Sequence, residues 1–385
     1  MIADDDGGFS ALYELDLTTL RRGKSLFATK GYDIGGLVPD ESGSKLLGVH
    51  VDEDRPGVRW LDASVAAIEE KAAAKVKGAR VRLLSFSRDR ARAILLIDAP
   101  DAPGVYMLYD LSADEMQPLA YVNDAFRMSK LHPVRTIRYK ARDGLEIAAV
   151  LTLPKGKTGK LPLIVMPHGG PFARDTEDWD WWTQFLADRG YAVVQPNYRG
   201  SSGYGTAFTR KGEGQWGLAM QDDLNDAVAA LAAQGIVDPK RVCMVGASYG
   251  GYAAMRAAQR DGSMYRCAVS YAGVSDLSAM KRYDGRFLMS GARTDWLRRQ
   301  APDLGAVSPI NAVQGFSAPL LLVHGVKDRV VPVRQSKSIA GKLKSAGKDV
   351  TYIEQREAGH HFSRGEDRAE FLRALEAFLA KHNPA

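Results

Sequence analysis

Apolar residues fall along this chain in two different rhythms. Over the first 130 residues they come in short runs closed by polar residues, and one kind of run recurs. Leu12-Tyr-Glu-Leu-Asp16, Val58-Arg-Trp-Leu-Asp62 and Val105-Tyr-Met-Leu-Tyr-Asp110 each end an apolar segment on an aspartate, at spacings of 46 residues (16 to 62) and 48 (62 to 110). Pro56-Gly57 and Pro103-Gly104 precede two of the three, and strand-like segments lie upstream at Lys45–Val51 and Arg92–Ile97. A period of about 40–50 residues built from short strands is the signature of a β-propeller blade. The segment has room for two blades and the second half of a third. Ala66–Val76 breaks the pattern and predicts one or two turns of helix.

From residue 131 to the end the rhythm changes, and buried-strand patterns alternate with helical ones. Strands are predicted at Leu161–Met166, Arg241–Val245, Pro319–Val323 and Val350–Glu354, and helices at Trp181–Asp188, Leu224–Ala232 and Gly251–Gln259. Largely apolar strands interleaved with helices predict a mostly parallel sheet covered on both faces, with ligands at the C-terminal ends of the strands. The expected division is therefore a small all-β partial propeller over 1–130 and an α/β domain over 131–385.

Three short stretches give the second domain its chemistry. Gly246-Ala-Ser-Tyr-Gly250 sets one serine between two glycines, after a strand and before a helix, which is the arrangement of a nucleophile elbow. A tight turn there needs glycine on both sides of Ser248 and leaves the N–H of Tyr249 at the helix start. Serine needs a base, and the base needs an orienting carboxylate, in the chain order Ser, Asp, His for an α/β-hydrolase. Asp328 follows the strand at Pro319–Val323, and His360 and His361 follow the strand at Val350–Glu354. His360, directly after Gly359, is favoured as base, with His361 as the alternative. His324 ends a strand before a glycine and reads as a structural or supporting residue. His168-Gly-Gly170, at the end of another strand, places backbone N–H groups of Gly169 and Gly170 where they can join that of Tyr249 in an oxyanion hole.

Competing chemistries find no support in the pattern. No His-x-x-x-His or Cys-x-x-Cys spacing suggests a metal, and no glycine loop has the order of a nucleotide site. No cofactor is expected. Cys243 and Cys267, the two cysteines, lie in apolar strands, and no disulfide framework is expected from them. The net charge of +6 is spread without a long basic run, which argues against nucleic acid as a partner. No apolar stretch is long enough for a membrane span, and the acidic start, Met1-Ile-Ala-Asp-Asp-Asp6, is not a signal peptide; a cytoplasmic location is expected.

From about Arg135 onward the chain resembles the catalytic domain of the prolyl oligopeptidase family, in particular its acylaminoacyl-peptidase and dipeptidyl-peptidase branches. The resemblance rests on His168-Gly-Gly-Pro171, Asn197-Tyr-Arg-Gly-Ser-Ser-Gly-Tyr-Gly205, Gly246-Ala-Ser-Tyr-Gly-Gly-Tyr252, Ser308-Pro-Ile310, His324-Gly-Val-Lys-Asp328 and Gly359-His360. It implies an α/β-hydrolase fold, Ser248 as nucleophile, Asp328 as orienter, His360 as base, and an oxyanion hole from the His-Gly-Gly loop and Tyr249. Gly359-His-His-Phe362 departs from the family pattern, in which a glycine often follows the catalytic histidine. The implied activity is hydrolysis of small peptides or acylated amino acids through an acyl-enzyme, with a carboxylesterase on small esters as the alternative. Tyr204 and Trp179 are candidates for the substrate pocket, although packing of the helix after Trp179 is the stronger reading of that cluster. The family carries a complete propeller before its catalytic domain. A partial one is expected to leave strand edges open, and with them a route to homo-oligomers.

Overall fold

The computed structural model describes residues 1–127, 129–288 and 290–385. Contacts divide the chain into two units. One holds Met1–Thr136 together with Thr176–Asp188 and Gly203–Ala207; the other holds Ile137–Asp175, Arg189–Ser202 and Phe208–Ala385. Two excursions of the later chain thus belong to the first unit, which a single cut after residue 130 does not capture.

The first unit contains three antiparallel sheets: Ile2–Asp4, Ser10–Leu15 and Arg22–Phe27; Ile34–Pro39, Leu46–Val51 and Gly57–Trp60; and Arg80–Phe86, Arg92–Ala99, Ala102–Asp110 and Glu115–Tyr121. Neighbours in sequence pair with one another, as short connections dictate. The repeated aspartates do the same work three times. Asp16 accepts the N–H groups of Thr18 and Thr19, Asp62 those of Ser64 and Val65, and Asp110 those of Ser112 and Ala113, all at 2.8–3.1 Å. Each carboxylate closes the turn that leaves its strand. The unit is not wholly β. The segment predicted as a turn or two of helix is the 11-residue helix Ala63–Ala73, capped by Asp62. Its apolar face, Val65, Ile68 and Ala72, packs with Leu83, Leu95, Ile97 and Tyr109 into one core.

The second unit is built on an eight-stranded sheet. Its strands are β1 (Val134–Lys140), β2 (Glu146–Thr152), β3 (Leu161–Val165), β4 (Ala192–Pro196), β5 (Val237–Ala247), β6 (Cys267–Tyr271), β7 (Leu320–Gly325) and β8 (Val350–Gln355), in the order β1-β2-β4-β3-β5-β6-β7-β8. β2 meets β4 antiparallel, and every pairing from β4 to β8 is parallel. β3, β4 and β6 are buried at every position, so they must be apolar throughout rather than alternating. This is the α/β-hydrolase sheet that the strand and helix rhythm predicts.

One expectation fails here. Cys243 and Cys267 form a disulfide, with their Cα atoms 4.8 Å apart. They stand opposite each other in the register of β5 and β6. Two cysteines 24 residues apart in separate strands carry no sign of that register in the sequence, so the pairing could not be read from it. Among the described residues no helix is long and apolar enough to cross a membrane, and no group of His, Cys, Asp and Glu is arranged to hold a metal.

Candidate active site

Ser248 stands between β5 and the helix Tyr249–Arg260 with φ 58° and ψ −118°. That is left-handed backbone, which costs a non-glycine residue on the order of 1–2 kcal/mol and persists only where the surroundings impose it. The flanking glycines are needed for space rather than for their torsions. A Cβ on Gly246 would lie 2.5 Å from the Gly250 carbonyl carbon, and one on Gly250 would lie 2.1 Å from the Pro167 carbonyl oxygen. The strain of the elbow is therefore carried by the serine itself. Its N–H donates to Tyr271 O at the end of β6, 2.9 Å away, which anchors the turn to the neighbouring strand.

The close approach of Gly250 to Pro167 also brings the His-Gly-Gly loop against the serine. Gly169 lies directly beside the serine: a Cβ built on it would be in van der Waals contact with Ser248, 3.4 Å from its Cβ and 4.0 Å from its Oγ. Gly170 has φ +116°, and its bond to Pro171 is cis. Behind the loop, His168 Nδ1 lies 2.8 Å from Gly169 O and Nε2 lies 2.9 Å from Ser201 Oγ. Because a carbonyl only accepts, Nδ1 carries the hydrogen and donates. The ring stacks on Tyr198, with centroids 4.3 Å apart. Burial pushes the His168 pKa down to about 4; the bond to Gly169 opposes this and the charge of Arg174 adds to it. His168 is thus a neutral strut for the loop. Tyr249 contributes its backbone alone. Its ring is buried against Trp216, while its N–H belongs to the first helical turn, where no intrahelical acceptor exists.

Asp328 and His360 meet beyond the ends of β7 and β8. His360 Nδ1 donates to Asp328 Oδ2 at 2.7 Å, and the other carboxylate oxygen accepts the N–H groups of Val330 and Val331, both at 2.8 Å. The carboxylate is fully buried and the imidazole is 10% exposed. Burial by itself would raise the Asp328 pKa. Hydrogen bonds from His324 and His360, the charge of His360 and the Val331 N–H overcome that and hold it well below the usual carboxylate range. With Nδ1–H committed to Asp328, His360 presents Nε2 as its basic nitrogen. His361 stands edge-on to His360, with centroids 5.2 Å apart, and is exposed.

Two features of this corner were only partly readable from sequence. His324 is fully buried, its Nε2 3.3 Å from Asp328 Oδ2 and 2.9 Å from Val331 O, its Nδ1 2.8 Å from Ser336 Oγ. It pins the turn that carries Asp328, and its place at a strand end before glycine was the available sign. Gly325 lets the histidine loop come in, since a Cβ there would lie 2.4 Å from Ala358 O and 2.5 Å from Gly359 O. Nothing in the sequence singles out Ser336 as the histidine's partner. The weaker pocket candidates belong to the first unit. There Tyr204 faces Tyr32 across 6.0 Å, and Trp179 precedes Asp180, which caps the helix Trp181–Asp188 by accepting from Trp182 and Thr183.

Comparison with known proteins agrees with this architecture. Residues 177–384 match the prolyl oligopeptidase family. Dipeptidyl aminopeptidase BIII of Pseudoxanthomonas mexicana is 32% identical over 394 residues, covering 97% of this chain and 56% of that protein. The acylamino-acid-releasing enzyme of Homo sapiens is 27% identical over 290 residues, 71% of this chain and 38% of its own length. A puromycin-hydrolyzing peptidase of Mycobacterium tuberculosis superposes with a TM-score of 0.80 at 22% identity, over 98% of this chain and 59% of that one. An acylaminoacyl peptidase of Pyrococcus horikoshii gives 0.71 at 23%, over 92% and 56%. At such identities the structural likeness is one of fold. The chain spans about half the length of the curated relatives it matches. With a strained serine elbow, a glycine loop beside it and a family match over more than half its length, the chain belongs to the prolyl oligopeptidase family.

Proposed function

We propose that this protein is a serine peptidase that cleaves short peptides near their N-terminal end, releasing dipeptides or acylated amino acids. The observation that carries the proposal is the His360 imidazole, its Nδ1–H held at 2.7 Å by the buried Asp328 carboxylate, in a chain whose Ser248 stands in a strained elbow between strand and helix. In the reaction Ser248 Oγ attacks the substrate carbonyl carbon and its proton passes to His360 Nε2. The carbonyl oxygen becomes an oxyanion held by N–H groups of Tyr249 and the Gly169-Gly170 loop, and losing one such donor typically costs about 3–4 kcal/mol. The C–N bond then breaks, and His360 returns the proton to the leaving amine. Water repeats the sequence on the acyl-enzyme and regenerates the serine.

The substrate range follows from the names of the relatives, a dipeptidyl aminopeptidase and acylamino-acid-releasing enzymes. A panel of dipeptidyl- and acylaminoacyl-nitroanilides, run beside short-chain nitrophenyl esters, tests the reading. Turnover of the anilides supports a peptidase, whereas hydrolysis of esters alone would replace it with a carboxylesterase. The open edges of the small sheets also suit pairing with a second copy of the chain. Light scattering at micromolar concentration tests this: a dimer or larger species supports it and a monomer rejects it.

A further inference from the structure

A cavity of about 460 Å³ opens in the second unit, between the segment that follows β6 and the start of the helix Arg334–Ser345. Three arginines line it, Arg282, Arg286 and Arg334, against one acidic residue, Asp276. That carboxylate is already engaged, because Asp276 Oδ1 caps the helix Leu277–Asp284 by accepting from Ala279 N at 2.8 Å. None of the three arginine side chains makes a hydrogen bond or ion pair among the described residues. Some arginines of this unit are matched to carboxylates, among them Arg142 with Asp226, Arg199 with Asp223 and Arg260 with Asp222. Three unmatched cations around one concavity repel one another, and Asp276 is the one carboxylate among the residues that line it.

The floor of the cavity is fixed. Gln335 is buried; its Oε1 accepts from Ser275 N and Asp276 N at 3.0 and 2.8 Å, and its Nε2 donates to Asp276 O at 3.0 Å. Tyr283, also in the lining, donates its hydroxyl to Arg329 O at 2.9 Å. Saturated polar groups hold the walls while the charged heads remain available. The helix Arg334–Ser345 begins at this wall, and its N-cap, Val333, offers no side-chain acceptor, so the positive end of the helix adds to the field.

We infer that this cavity is a binding site for a small polyanion, a ligand bearing clustered phosphate or carboxylate groups. Guanidinium forks recognise both groups in bidentate fashion, and a cavity of this size admits a small molecule. The inference does not depend on the proposed hydrolysis, and its test reads binding alone. Calorimetric titration of the full chain with pyrophosphate and, separately, with citrate is carried out at physiological, matched ionic strength. The expected result is saturable binding near one site per chain for at least one of them. Binding of pyrophosphate alone identifies the ligand as a phosphate, of citrate alone as a polycarboxylate, and of both as read by charge. The Arg282→Ser/Arg334→Ser double variant should weaken it about tenfold or more, as expected for the loss of charge-assisted bonds. Arg88→Ser, an exposed charge of the first unit, should leave it unchanged. If the double variant fails to fold, Arg286→Ser alone should still weaken binding severalfold. Absence of saturation up to roughly 10 mM of either anion, or full binding by the arginine variants, overturns the inference.

Discussion

The two units put an aspartate at a strand end to different uses. In the first, Asp16, Asp62 and Asp110 each accept two backbone N–H groups just past a strand, one local solution repeated along the chain. In the second, Asp328 makes the same two bonds just past β7 with one oxygen, but its other oxygen takes the Nδ1–H of His360. Ser248, Asp328 and His360 follow three different strands, and glycines let distant backbone approach there: Gly250 at Pro167 and Gly325 at Ala358. Repetition of a residue in a sequence therefore marks closure of a turn. Single residues at the C-terminal ends of different strands, brought together by close-packed glycines, form the centre we propose for the reaction.

The contrast is sharpest at Ser248. Ser248→Ala should lower kcat by on the order of 10⁶ while the unfolding midpoint in urea stays unchanged. Ser248→Gly should be equally inactive yet more stable by about 1 kcal/mol, because glycine relieves the positive φ. A stability loss in both variants would show that the serine serves the fold rather than the chemistry. Next in size is Gly250→Ala. The added methyl meets the Pro167 carbonyl oxygen, backbone that cannot swing aside, and should cost roughly 3 kcal/mol or more by denaturant titration, with activity lost alongside. An alanine tolerated at this position would dissolve the link between the glycine loop and the elbow.

Acid should reach the second unit first. An unfolded histidine binds its proton near pH 6.5, whereas burial pushes His168 down to about 4. Between these values the unfolded chain holds more protons, so stability falls as pH drops through that window. Asp328, whose carboxyl is held low, adds a further loss below about pH 4, the ordinary range of an unfolded aspartate. Chemical denaturation at stepwise lower pH should show both phases, and His168→Gln should remove the upper one. The smallest effects belong to the repeat. Asp62→Ala should cost about 1 kcal/mol, as loss of a helix cap does. Asp16→Ala, at an exposed turn, should cost less, and neither should move kcat. Equal costs at both positions would mean that the helix Ala63–Ala73 gains nothing from its cap.

Much of this was legible in the sequence for identifiable reasons. β3 and the apolar part of β5 are uninterrupted apolar runs because both of their faces are covered. Ser248 stood out because a strand, two glycines and a helix surround it, and His360 because it follows Gly359 in the right chain order. The choice of His360 over His361 rested on that match, and the structure sets His360 on Asp328 with His361 exposed. What stayed hidden depends on register or on three-dimensional approach. The Cys243–Cys267 bond needs β5 and β6 in their observed alignment. The grouping of Trp179 and Tyr204 with the first unit needs contacts distant in sequence. The contact of Ser336 with His324 joins residues on a strand and a later helix whose phase no local pattern reports.

The account turns on Ser248 being activated by His360 and not by its neighbour. The most direct test is covalent labelling by a fluorophosphonate, followed by peptide mapping, in the parent chain and in the Ser248→Ala, His360→Ala and His361→Ala variants. The account predicts a single adduct on Ser248, none in Ser248→Ala, labelling slowed by roughly 10³-fold or more in His360→Ala, in line with the loss of a general base, and a near-parent rate in His361→Ala. An adduct on any other residue, or a His360→Ala variant that labels as fast as the parent while His361→Ala does not, would contradict it.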